Sequence, residues 1–194
     1  MGLFKRNPFG HILFLKTWLI RIAGFLTHRR YRYFNQLQIE GSEIIRSLPD
    51  TNVLFISNHQ TYFADVVAMF HVFNASLKGR ENNIKNVMYL WNPKLNMYYV
   101  AAKETMQEGL LPRILAYAGA ITVERTWRAK GKDVTEKKEV NPNDTENIKI
   151  ALEDGWVITF PQGTTRSFKP VRKGTAHIIL QHKPIVVPIV IDGF

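Results

Sequence analysis

The chain has no cysteine. Disulfides, thiolate metal sites and a cysteine nucleophile are therefore excluded, and a reducing compartment is compatible with the chemistry. It also lacks a long uninterrupted apolar run. The most apolar N-terminal stretch, residues 9–27, is broken by Lys16 and Arg21, so its longest uninterrupted apolar run falls well short of the roughly 18 residues of a spanning helix. No small-residue cleavage site follows it, which argues against a secretory signal. Internal repeats and low-complexity tracts are absent. Acidic residues are scarce relative to basic ones, 16 against 26, leaving a net charge of +10. Such an excess favours an anionic partner, whether nucleic acid, anionic lipid or an acidic carrier protein, although a merely basic soluble surface has the same composition. The basic residues form no nucleic-acid recognition module and the aromatics sit in apolar runs, so nucleic acid ranks last among these partners.

What is present is a chain of 194 residues, 45% of them hydrophobic, enough for one domain with a sizeable core. Residues 1–34 read as an N-terminal membrane-associating segment. Its polar positions do not share one clean helical face. The expectation is a short interfacial or partly embedded helix, with Lys16 and Arg21 snorkelling to headgroups. His28, Arg29, Arg30 and Arg32 follow and add attraction to anionic lipid. The competing reading is an ordinary helix packed on the core.

Residues 35–194 alternate between strand and helix patterns. Apolar runs predict strands at Val53–Ile56, Asn86–Leu90, Ala120–Val123, Trp156–Phe160 and Ile185–Ile191. Pro188 inside the last run indicates an edge or a bulge. Helices are predicted at Asp65–Leu77, at Leu110–Tyr117 with Gly119 as its C-cap, from Asp144 or Thr145 to about Asp154, and at Gly174–Gln181. Residues 126–143 read as an exposed loop. The fold class expected is α/β, a largely parallel sheet flanked by helices. The chain stops at Asp192-Gly193-Phe194, directly after an apolar strand, so a truncation or missing final elements are expected.

Polar residues cluster just past the strand runs, where open α/β sheets bind ligands. Asn58 and His59 follow the first, Arg125 the third, and Gln162, Gly163, Thr164, Thr165 and Arg166 the fourth. His59 is a candidate general base and Asp65 the nearest carboxylate able to hold its tautomer. Six positions apart, the two do not share a helix face. The pair works only if His59 lies in a loop and the chain turns before a helix starts near Asp65. Taken alone, the pair reads as readily as a structural histidine beside a helix-capping aspartate, and the Gln162–Arg166 segment as a polar turn.

The ordered set is more specific. Asn58-His59 with Asp65, then Gly119-Ala120-Ile121-Thr122-Val123-Glu124-Arg125, then Phe160-Pro161-Gln162-Gly163-Thr164-Thr165-Arg166-Ser167, then Val187-Pro188-Ile189, resembles the glycerolipid acyltransferases. These are the 1-acyl-glycerol-3-phosphate acyltransferases (PlsC-like) and their relatives. Ala101-Ala102-Lys103-Glu104 and Lys173-Gly174 resemble further blocks of that family. The resemblance implies transfer of a fatty acyl group from acyl-CoA or acyl carrier protein to a lysophospholipid hydroxyl. His59 would be the base and Asp65 its partner. Arg125 and Arg166 would hold the acceptor's phosphate or carboxylate, and backbone N–H groups around Gly163 an oxyanion. No metal or other cofactor is implied. The expected location is the cytoplasmic face of the inner or plasma membrane.

Two departures stand out. Five residues separate His59 from Asp65 where the family has four. Gln162 replaces the family's Glu, and one extra Thr precedes Arg166. A lyso-aminolipid acceptor, or a non-catalytic lipid-binding module on the same fold, are the alternatives these departures keep open.

Overall fold

Val53-Leu54-Phe55-Ile56-Ser57 forms β1, and the run is apolar on both faces because both faces are covered. In the computed structural model, which describes residues 4–107, 109–124, 128–129, 132–133, 141–166 and 168–193, β1 lies inside a five-stranded parallel sheet. Its other members are β2 (Met97–Ala102), β3 (Ala120–Val123), β6 (Trp156–Thr159) and β7 (Ile185–Ile189), in the order β3-β2-β6-β1-β7. Two-residue strands β4 (Arg128–Ala129) and β5 (Lys132–Asp133) pair antiparallel in the segment read as loop. The rest of residues 126–140 lies outside the described residues. As Pro188 indicates, β7 is an edge strand.

Alternate residues feed two cores. Val53, Phe55, Trp156, Ile158, Met97 and Tyr99 face one side, where α1 (Leu13–Arg29) and α2 (Ala64–Leu77) pack. Phe55 stacks there on Phe73, ring centroids 4.3 Å apart. Leu54, Val157, Tyr98 and Ile121 face the other, against Ile148 and Leu152 of α5 (Pro142–Asp154) and Ile178 of α6 (Lys173–His182). Two short helices, α3 (Lys103–Gln107) and α4 (Leu110–Tyr117), connect β2 to β3.

Three expectations fail locally. Residues 87–90 form a 3-10 turn and not a strand. Asn86 takes φ 56° and its side chain accepts the Met88 N–H, which starts the turn. The missing strand is β2, which Asn96 sets in place: its carbonyl accepts the Trp156 N–H at 3.0 Å. A side chain at Gly155 would collide with that carbonyl. The helix expected to start at Asp144 or Thr145 starts at Pro142, capped by Asn141, whose side chain accepts the Asn143 N–H; proline at the first position fits a helix N-terminus.

The third correction concerns Lys16, which does not snorkel. The inward face of α1 carries Lys16, Ile20 and Gly24. The Lys16 ammonium is fully buried, 4.8 Å above the Tyr98 ring and 3.4 Å from the Met97 carbonyl it donates to. Burial draws its pKa from 10.5 down to about 7, while the charge of Asp154 works the other way. Between those two values the unfolded chain binds the extra proton, so stability rises with pH, by about 1.4 kcal/mol per unit at most for one group. Lys16→Met is expected to be more stable than the parent at pH 7 and to lose the rise between pH 7 and pH 9; urea unfolding at the two pH values checks this. Arg21 is also spent on the protein, bonded to the Trp91 carbonyl and flanked by the Trp18 and Trp91 rings.

His71 ties α1 to α2. Its Nε2 meets the Thr27 hydroxyl at 2.9 Å and its Nδ1 the Tyr89 hydroxyl at 2.7 Å. Burial, helped by His28, lowers its pKa to about 3, so it is neutral. Among the described residues, no helix is long and apolar enough to cross a membrane.

Candidate active site

The carboxyl ends of three adjacent strands, β6, β1 and β7, meet at His59. After β1 the chain leaves the sheet as a loop, and α2 starts only at Ala64. That loop lets His59 reach back to Asp65, its Nδ1 lying 2.7 Å from Asp65 Oδ2. A carboxylate only accepts, so Nδ1 carries the proton and Nε2 keeps its lone pair.

Asp65 is fully buried in the first turn of α2, where the helix dipole favours a negative charge. Its Oδ2 also accepts from the backbone N–H of Gln60 (2.8 Å) and Thr61 (3.0 Å), and Oδ1 from the Thr61 hydroxyl. The Thr61 oxygen accepts the Asp65 N–H in return, a reciprocal arrangement like a capping box. Burial is the largest single influence on the carboxyl and pushes its pKa up. The hydrogen bonds from His59, the two backbone N–H groups and Thr61 together outweigh it and hold the pKa below the ordinary value. Capping the helix and orienting the histidine are thus one arrangement, and the five-residue spacing is absorbed in the turn at Gln60 and Thr61.

Two residues to which the sequence assigned no contact fix the rest. The Phe160 ring stacks on the His59 imidazole, centroids 4.1 Å apart and planes 23° from parallel. Asn58 joins β1 to the end of β7, its Nδ2 donating to the Ile191 carbonyl at 2.6 Å and its Oδ1 accepting the Ile191 N–H at 2.8 Å. Both lie in the recognised blocks, but nothing in their spacing reveals the partner.

The loop after β6 begins next to the stacked Phe160. Gly163 takes φ 62°, where a glycine avoids the Cβ penalty. Its N–H bonds to the Phe160 carbonyl and is thereby occupied, which leaves its neighbours as the oxyanion donors expected around Gly163. The N–H groups of Thr164 and Thr165 bond to nothing described and remain as donors. Gln162 donates its amide N–H to the Lys169 carbonyl at 2.9 Å, a bond that glutamate's carboxylate cannot make. Arg172 Nε donates to the Gln162 carbonyl at 3.2 Å. Arg166 is exposed and forms no ion pair with a described residue. Arg125 lies outside the described residues. The strand that precedes it in sequence, β3, ends at the far edge of the sheet from β7, three interstrand steps or about 14 Å from β1.

Beside the site, α1, α2, α4 and β2 enclose an apolar recess lined by Ile20, Ala23, Phe63, Val66, Phe70 and Leu115 among others. Phe63 belongs to the same loop as His59.

A family model described as Acyltransferase matches residues 36–192. The chain belongs to this acyltransferase family. The match to the acyltransferase model starts just after the π-helical turn at Arg30–Phe34 that follows α1, and spans the sheet and the His59 loop. It supports acyltransferase activity, in agreement with the resemblance to the glycerolipid acyltransferases carried by the four blocks. No curated protein and no solved structure matches the chain.

Proposed function

We propose that this acyltransferase moves a fatty acyl group from an acyl thioester, acyl-CoA or acyl carrier protein, to the free hydroxyl of a lysophospholipid such as 1-acyl-glycerol-3-phosphate, at the membrane surface. The observation that carries the reading is the His59–Asp65 pair, with Nε2 of the imidazole left free beside the loop from Phe160 to Arg166. His59 Nε2 takes the acceptor's hydroxyl proton as the oxygen attacks the thioester carbonyl. Asp65 stabilises the imidazolium that forms. The tetrahedral oxyanion is met by the Thr164 and Thr165 N–H groups. Collapse breaks the carbon–sulfur bond, and the thiolate leaves with the proton held by His59. The acyl group passes directly to the lipid, with no enzyme-bound ester.

Arg166, with Arg125, offers guanidinium groups to the acceptor's phosphate. The apolar recess beside Phe63 suits an acyl chain. Membrane association is supported by α1, whose outward face exposes Phe14, Leu15, Trp18, Ile22, Phe25 and Leu26, with His28, Arg29, Arg30 and Arg32 at its end. The neutral amide of Gln162, turned onto Lys169, keeps a lyso-aminolipid with a free carboxylate as the second acceptor, because the segment from Gln162 to Arg166 then carries no carboxylate to repel it. Incubating the purified protein with each labelled donor and each of the two acceptors tests the proposal. The expected result is acylation of 1-acyl-glycerol-3-phosphate, and no acylated product from any combination would sink it.

Gln162→Glu sets a carboxylate against the Lys169 carbonyl. The loop is expected to open, raising KM for the acceptor by about tenfold, an effect the size of one lost hydrogen bond plus repulsion, with a smaller change in kcat. Steady-state kinetics over acceptor concentration checks the split.

A further inference from the structure

From Gly155 to Ile191 the chain contains no aspartate or glutamate, while Arg166, Lys169, Arg172, Lys173 and Lys183 are all basic. The loop that leaves β6 falls in this stretch. Its base is pinned: Arg172 N donates to the Pro161 carbonyl at 2.9 Å, and Gln162 Nε2 to the Lys169 carbonyl. Between these clamps Phe168 takes φ 58°. A bulky residue in the left-handed region is strained, and here no packing offsets the strain, because Phe168 is 101% exposed. Val171 on the same loop is 70% exposed, Tyr62 after β1 is 70% exposed and Val190 after β7 is 87% exposed. All four leave the carboxyl ends of β6, β1 and β7, the three adjacent strands that converge on His59.

We propose that this rim is a second membrane contact, separate from α1. Phe168 and Val171 enter the interface of an anionic bilayer, and Arg166, Lys169 and Lys173 remain at the level of the headgroups. The His59 site then opens directly onto the lipid that supplies its acceptor. The inference rests on the membrane reading above and adds to it the face by which the active site meets the bilayer. Charge complementarity favours an anionic surface. The placement favours lipid over an acidic protein, since the exposed apolar side chains are spread over three loops, Phe168 and Val171 on one and Tyr62 and Val190 on the other two. A bilayer takes separate prongs, whereas a protein partner needs a matched pocket for each.

The absence of cysteine makes a clean probe experiment possible. Single-cysteine variants Phe168→Cys on the rim, Leu26→Cys on α1 and Glu153→Cys at the opposite end of the sheet are labelled with an environment-sensitive fluorophore. They are then mixed with vesicles of phosphatidylcholine and phosphatidylglycerol. The probes at 168 and 26 are expected to brighten and shift to the blue, and the probe at 153 to stay unchanged. A response at 26 without one at 168 overturns the rim contact and leaves α1 as the docking element. No response at either position overturns the membrane reading and this inference with it. A response at 168 to acyl carrier protein but not to vesicles also overturns it. Independently of the label, Phe168→Ser with Val171→Ser is expected to weaken vesicle partitioning about tenfold, with turnover of a monomeric short-chain acceptor unchanged. Undiminished partitioning contradicts the proposal.

Discussion

His59→Ala is expected to lower kcat by about 10²–10⁴-fold, the usual worth of a positioned general base, with little loss of stability. The imidazole is partly exposed, and its one hydrogen bond among the described residues is to Asp65. Removing it leaves Asp65 with the backbone donors of Gln60 and Thr61 and the Thr61 hydroxyl, so the carboxylate is not stranded. Steady-state kinetics beside a urea unfolding curve separates the two effects. A variant that unfolds at the parent's midpoint yet turns over at the parent's rate would remove His59 from the chemistry.

Asp65→Asn is the second large effect. The carboxamide oxygen can still accept from His59, Gln60 and Thr61, so the loop is expected to hold its shape. The negative charge that stabilises a protonated imidazole is gone, and kcat is expected to fall by about 10²–10⁴-fold. The same residue sets an acid limit on stability. Its folded pKa is below its unfolded one, so the stabilisation is complete above an ordinary carboxylate pKa near 3.8 and is lost as pH falls through the folded value. Unfolding measured from pH 6 downward is expected to show a steeper acid loss in the parent than in Asp65→Asn. Asp65→Ala is a different case, because it removes the acceptor of the half-buried Gln60 and Thr61 N–H groups and of the Thr61 hydroxyl, at a cost of about 1–3 kcal/mol.

The central strands were readable from the sequence because burial on both faces leaves continuous runs such as Val53–Ile56 and Trp156–Thr159. Residues 87–90 and β2 were not distinguishable that way. Both are short and apolar, and the choice between them is made by a left-handed Asn86 and by the side-chain-free approach at Gly155. The direction of Lys16 was hidden for a similar reason. Its long stem suits either headgroups or a buried face, and the site beneath it is built by Met97, Tyr98 and Asp154, far away in the chain. At the site, the identity of the pair was legible and its geometry was not. The spacing of His59 and Asp65 acquires meaning only once Gln60 and Thr61 turn the chain, and the contacts of Phe160 with His59 and of Asn58 with Ile191 join segments more than a hundred residues apart. Gln162 was legible as a departure, but its bond to Lys169 was not.

Direct acyl transfer with His59 as the base is the central claim, and a single-turnover incubation tests it most directly. Labelled acyl thioester is mixed with excess protein and the lysolipid, quenched at short times, and separated into protein and lipid. The account predicts label passing into lipid with none retained on the protein, and almost none in lipid for His59→Ala. Label trapped on the protein, or lipid product formed as fast by His59→Ala as by the parent, would contradict it.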